Sequence, residues 1–176
     1  MRDRLPQNPG QTPTVDFTKP ECLPQAVKDA FKDAWKKSRY GFQQNSEYSF
    51  AIAQNSTTGA LTTTSPKSTH EFSAGALPVV PGIIAGAHTH GPGDLPGLSE
   101  TDKNSAIKGG IAMYVMSRNG GLSLYDPANK ATQKSRRDIN NPNIDYAYGI
   151  KVGEVLGKNA FWDKPASRRA KRKSNR

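Results

Sequence analysis

His88-Thr89-His90 closes an apolar run, and after a Gly/Pro-rich stretch it is followed by Ser99-Glu100-Thr101-Asp102. Successive side chains on a strand alternate faces, so two His separated by one residue point the same way. Both imidazoles are then able to close on one metal ion, and an Asp in the first turn of the next helix is placed to be a third ligand. Three protein ligands with one position left to water is the arrangement of a catalytic zinc site, whereas structural sites are closed by four. The chain has one Cys and three His, which excludes a Cys-rich structural zinc site, and two of its three His lie in this tripeptide. Plainer readings stand beside this one. His-x-His on a strand edge also occurs as ordinary polar surface. Ser99-x-x-Asp102 also reads as a capping box, since Ser is a favoured N-cap and an acidic residue three positions on suits the helix N-terminus. The cap does not exclude a ligand role for Asp102. If zinc survives the loss of His88, Asp94 and His70 are the residues to consider instead.

The elements that must position these residues are legible from periodicity. The His pair ends a strand over Gly82–His90, in which Ile83, Ile84 and Ala87 supply apolar bulk and Gly86 keeps the backbone uncrowded. A helix over Glu100–Lys108 stops at Gly109-Gly110, a C-terminal glycine signal. Ile111–Met116 and Leu122–Tyr125 read as a hairpin around Asn119-Gly120. Upstream, Pro24–Arg39 is the strongest helix, with Val27, Ala30, Phe31, Ala34 and Trp35 recurring at helical spacing as a core stripe. Strands are expected near Tyr48–Ala53 and Ala60–Thr64. The segment Tyr146–Leu156 is amphipathic but broken by Gly149 and Gly153, so its type stays open. Helices flanking a mixed or antiparallel sheet make the expected class α+β.

The ensemble of apolar strand, His-Thr-His, Gly/Pro loop, Ser-x-x-Asp and helix resembles the JAMM (MPN-plus) metallopeptidases. Their pattern is an upstream Glu, His-x-His-Pro, a short spacer and Ser-x-x-Asp. The resemblance implies that His88, His90 and Asp102 hold Zn2+, that Ser99 helps stabilise the tetrahedral intermediate, and that an upstream Glu is the general base toward water at the zinc. It also implies a JAB/MPN-like, cytidine-deaminase-like architecture. Gly110–Ser117, Arg118–Gly121 and Leu122–Pro127 are similar to the hairpin that follows this helix in JAB-like domains of bacterial polymorphic toxins, including the C-terminal ends of Rhs-type proteins. The likeness covers roughly Glu47 to Pro127. In this chain Gly91 follows the second His, with Pro92 one place later, and Glu47 lacks the Gly pair often found after it. Neither departure removes a ligand.

Two carboxylates, Glu47 and Glu71, lie between the first helix and the His pair, 41 and 17 residues before His88. The base must come within hydrogen-bond reach of a water whose pKa zinc lowers to about 7. Glu47 opens the apolar run Tyr48–Ala53, and a strand end is a rigid platform. Glu71 sits in Ser68-Thr-His-Glu-Phe72, a connection. The reading favours Glu47, with Glu71 as the alternative.

At 176 residues one compact domain is expected. Residues 1–20 carry Pro6, Pro9, Pro13 and Pro20 with little periodicity and read as a flexible linker, 21–160 as the metallohydrolase domain, and 161–176 as a basic tail. The hydrophobic content of 34% and mean hydropathy of −0.73 are low for a globular chain. No apolar run approaches a membrane span, and the start lacks the apolar core of a signal peptide. Cys22 is alone, so no internal disulfide forms, and with no His or Asn partner near it in sequence it is a poor nucleophile. The net charge of +10 is largely a tail property: Lys164–Arg176 holds seven basic residues and no acid, leaving 18 basic against 15 acidic elsewhere. Such a tail adds non-specific affinity for nucleic acid, anionic lipid or an acidic partner.

The functional expectation is a zinc-dependent peptidase or isopeptidase of JAMM type, acting on a protein or peptide substrate. The resemblance implies a secreted or delivered effector that works in a target cell's cytoplasm during bacterial competition and is neutralised by an acidic cognate immunity protein. Two alternatives use the same residues: a metal-dependent nuclease or nucleic-acid modifier, with the tail holding phosphate, and a non-catalytic binding module.

Overall fold

The computed structural model describes residues 14–39, 46–68, 77–90, 97–117, 120–136 and 147–165. Helix α1 (Gln25–Arg39) precedes strands β1 (Tyr48–Gln54), β2 (Leu61–Thr63), β3 (Lys67–Ser68) and β4 (Ile83–Thr89). Then come α2 (Glu100–Gly109), β5 (Ala112–Met116), β6 (Gly121–Tyr125), β7 (Ser135–Arg136), β8 (Ala147–Tyr148) and β9 (Ile150–Glu154). The main sheet runs β2-β1-β4-β5-β6-β9, with β3 also pairing β1. The chain is therefore α+β, with a mixed sheet and two helices among the described residues. Strands β4 and β5 run parallel, and α2 is the crossover between them. Parallel neighbours need such a connection, and it returns the helix to the sheet from the carboxyl end of β4.

The two faces of the sheet are covered by different clusters. Alternate residues Phe50, Ile52, Ala85, Ala87, Ala112, Tyr114, Met116, Leu122 and Leu124 pack under the apolar stripe of α1, where Val27, Phe31 and Ala34 are fully buried. Phe31 anchors this side, meeting Phe50, Tyr114 and Phe161 edge-on at 5.0, 5.1 and 5.1 Å between ring centroids. Edge-to-face contact matches the positive ring edge to the negative ring face. On the opposite face a smaller cluster of Met113, Val115 and Tyr125 packs with Leu98 and Ala106 of the α2 region. Gly86 lies on that face, and Leu77 fills the space a side chain would take: a Cβ there would stand 2.2 Å from Leu77 Cδ1.

Packing extends beyond residues 21–160 at both ends. Val15 and Phe17 lean on the α1-side core, and Phe161 and Trp162 are part of it. The Tyr114 hydroxyl, buried at the centre of the sheet, donates to the Phe17 carbonyl at 2.6 Å, and burial pushes its pKa well above the ordinary phenol value. Tyr114→Phe keeps the ring and loses this bond, so a destabilisation of about 0.5–1.5 kcal/mol is expected in denaturant unfolding. An unchanged midpoint would mean that this hydrogen bond contributes nothing net to stability. The rest of the N-terminal stretch and residues 166–176 of the basic tail lie outside the described residues, as do Glu71, His70, Asp94, Gly91 and Pro92.

Candidate metal centre

Strand alternation places His88 and His90 on the α2 face, while Thr89 between them is fully buried on the other. The Thr89 hydroxyl accepts a hydrogen bond from Tyr48 N at 3.0 Å, which ties the start of β1 to the end of β4. The two imidazoles lie side by side, with ring centroids 5.1 Å apart.

Asp102 arrives from the first turn of α2, and the turn is built as a full capping box. Ser99 Oγ accepts from Asp102 N at 3.2 Å, and Ser99 N donates to Asp102 Oδ2 at 2.8 Å. The Ser99 hydroxyl proton also goes to Asp102 Oδ2, at 2.7 Å. Just before the cap, Leu98 and Tyr148 exchange backbone hydrogen bonds of 3.1 and 2.9 Å, so β8 fixes where the helix begins. Lys103, the next residue of the helix, lies over the Tyr148 ring with Nζ 4.1 Å from its centroid. At the far end Gly110 takes a left-handed conformation (φ 62°) that few other residues adopt, and its N–H caps the helix.

The result is a convergence of three donors. His88 Nε2 is 3.2 Å from Asp102 Oδ1, and His90 Nε2 is 3.4 Å from Asp102 Oδ2. One donor atom from each residue lies within 4.8 Å of the others, and both imidazoles are buried. Zinc bonds of about 2.0–2.1 Å in tetrahedral geometry put ligand atoms about 3.3 Å apart, and each imidazole nitrogen stands near that distance from a carboxylate oxygen, His88 from Oδ1 and His90 from Oδ2. The electrostatics agree. Burial alone would push the Asp102 carboxyl up, but the charge of His88 and hydrogen bonds from His88, His90 and Ser99 outweigh it. They hold the carboxyl well below the usual carboxylate range. Asp102 is thus a fixed negative charge facing two nitrogens, and this buried group could hold a metal ion. A reading of His-x-His as exposed polar surface does not fit the burial of either ring.

Glu47 is buried at the entry to β1. The register pairs Ser49 with His88, and Glu47 lies two residues before Ser49, just ahead of β1. Strand alternation counted back from Ser49 gives Glu47 the parity of the metal face. Sequence reasoning named Glu47, Ser99, His88, His90 and Asp102; the structure brings His88, His90, Ser99 and Asp102 together and puts Glu47 at the entry to β1, the strand that pairs with β4. It passed over three further polar residues on the metal face: Ser49, Ser117 and Ser123, all buried. Their signal lay in the alternation of β1, β5 and β6, which becomes informative only once the strand register is known. Cys22 is exposed and lies on the short turn before α1, away from this face.

No family model matches the chain, and neither does any curated protein or solved structure.

Proposed function

We propose that this chain is a zinc-dependent hydrolase of JAMM-like design that cleaves peptide or isopeptide bonds, acting as a toxic effector domain in competition between bacteria. The observation that carries the reading is the convergence of two imidazoles and one carboxylate in a buried cluster, with a buried Glu at the entry to the adjacent strand. Zinc held there would polarise a scissile carbonyl and make water nucleophilic near neutral pH. The chain's own residues do the rest. Glu47 takes the proton from the attacking water and returns it to the leaving amine. Asp102 keeps its charge at all working pH values, and Ser99 keeps it aimed. Because the Ser99 hydroxyl proton is already given to Asp102, Ser99 serves an oxyanion only by releasing that bond. The burial of the site suits the chemistry, since excluding water strengthens each electrostatic contact.

The second reading, a nuclease, draws on the seven basic residues of Lys164–Arg176. One design separates the two. The purified protein should contain about one zinc per chain by elemental analysis and should cut protein but not oligonucleotide substrates. Residues 166–176 are the part of the tail to delete, because the Lys164 carbonyl accepts from the buried Lys28 ammonium at 3.0 Å. The truncated protein should keep its fold, zinc and peptide hydrolysis. Any oligonucleotide binding should weaken, its slope of log K against log salt shrinking by about 0.7–0.9 per lost phosphate contact. Cleavage of the oligonucleotide would transfer the reading to a nuclease. Delivery into a target cell and an acidic neutralising partner belong to the same proposal. Expression in bacteria should be toxic and rescued by an acidic partner encoded beside it, and harmless expression of the zinc-loaded chain would refute the effector role. No described helix is long and apolar enough to cross a membrane.

A further inference from the structure

Across the sheet the α2 face presents its residues in rows. Ser49 pairs with His88, His88 with Val115, and Val115 with Ser123. Two residues further toward the carboxyl ends of β4 and β5, the same register aligns His90, Ser117 and Gly121. Backbone bonds continue the ladder there, His90 N to the Met116 carbonyl and Ser117 N to the Gly121 carbonyl, each at 2.9 Å. Ser117 therefore flanks His90 on the side opposite β1, with a glycine as its next neighbour.

Ser117 is 2% exposed, and its Oγ is a buried side-chain oxygen with no hydrogen-bond partner. Its backbone is satisfied: besides the bond to Gly121, its carbonyl accepts from Gly120 N at 2.9 Å. Leaving a hydroxyl buried and unpaired costs stability, so the position asks for a partner that arrives later. The Ser99 hydroxyl, by contrast, is already committed to Asp102.

We propose that Ser117 is a positioning residue of the metal centre. With a divalent cation held by His88, His90 and Asp102, its hydroxyl donates a hydrogen bond to the oxygen ligand that completes the cation's shell beside His90. The inference rests on the metal reading above and gives the site a polar flank on the side opposite β1.

Zinc is the probe, its affinity measured by competition with a chromogenic chelator for wild type, Ser117→Ala and Ser117→Thr. The same proteins stripped of metal are unfolded in denaturant. Ser117→Ala should bind zinc about 10–100-fold more weakly, the usual cost of losing an outer-shell partner. Its metal-free stability should equal or exceed wild type, because the unpaired hydroxyl is gone. Ser117→Thr keeps the hydroxyl and should restore affinity. A purely structural hydroxyl would give the reverse, lower metal-free stability with unchanged affinity, and that result overturns the proposal. Wild-type affinity in Ser117→Ala overturns it while the metal centre stands. A wild-type protein that takes up no zinc overturns both.

Discussion

Glu47→Gln is expected to leave fold and zinc content intact while hydrolysis falls by about 10²–10⁴-fold, the usual cost of losing a general base. Gln has nearly the shape of Glu and can fill its place at the entry to β1, but it does not accept a proton. The backbone next to it is held by the β1–β4 ladder and by the Tyr48 N to Thr89 Oγ1 bond, neither of which the substitution touches. Loss of toxicity with retained zinc separates a chemical role from a structural one. Glu71→Gln is the paired control. Full activity in Glu47→Gln, with Glu71→Gln inactive, would move the base to Glu71.

Much of this arrangement was legible in the sequence because strong periodicity and strong punctuation coincide at the site. The α1 stripe, the apolar strand ending in His-Thr-His, the Ser99 cap and the Gly109-Gly110 stop each carry a local signal, and the observed elements fall within a residue or so of the expected limits. What stayed hidden has no local signal. β3, β7 and β8 are two residues long, and they exist only because a partner strand is present. The segment with Gly149 and Gly153 resolves into β8 and β9. Gly149 takes a positive φ of 91° between them, and the β6–β9 register shifts between Leu122 and Ser123, which spoils the alternation. The Pro-rich start reads as linker by composition, yet Val15 and Phe17 find a place against Tyr114 that only the tertiary fold creates. Lys28, on the charged side of a helix by sequence, is buried, its ammonium donating to the carbonyls of Glu21 and Lys164. Ser117 belongs with these cases: its type is ordinary, and only the register across β4, β5 and β6 places it beside His90.

His88→Ala is expected to abolish zinc binding at stoichiometric metal, a loss greater than the 10–100-fold typical of an outer-shell change, because a ligand itself is removed. It also takes away a charge partner that holds the Asp102 carboxyl down, so burial then acts against a less well compensated carboxylate. The acid limit of zinc binding follows from the same geometry. The folded pKa of Asp102 lies below its ordinary 3.8, so its contribution to stability is fully present above that value and lost only as pH falls through the lower, folded one. Between neutrality and pH 4 Asp102 therefore does not titrate. Zinc must instead be displaced by protons competing for the imidazole nitrogens, which bind metal only when neutral. Acid release of zinc, followed by chelator absorbance, should accordingly take up protons at the imidazoles and not at Asp102, and Asp102→Asn should bind little zinc at any pH. Zinc content in His88→Ala equal to wild type would remove this site from the molecule's chemistry.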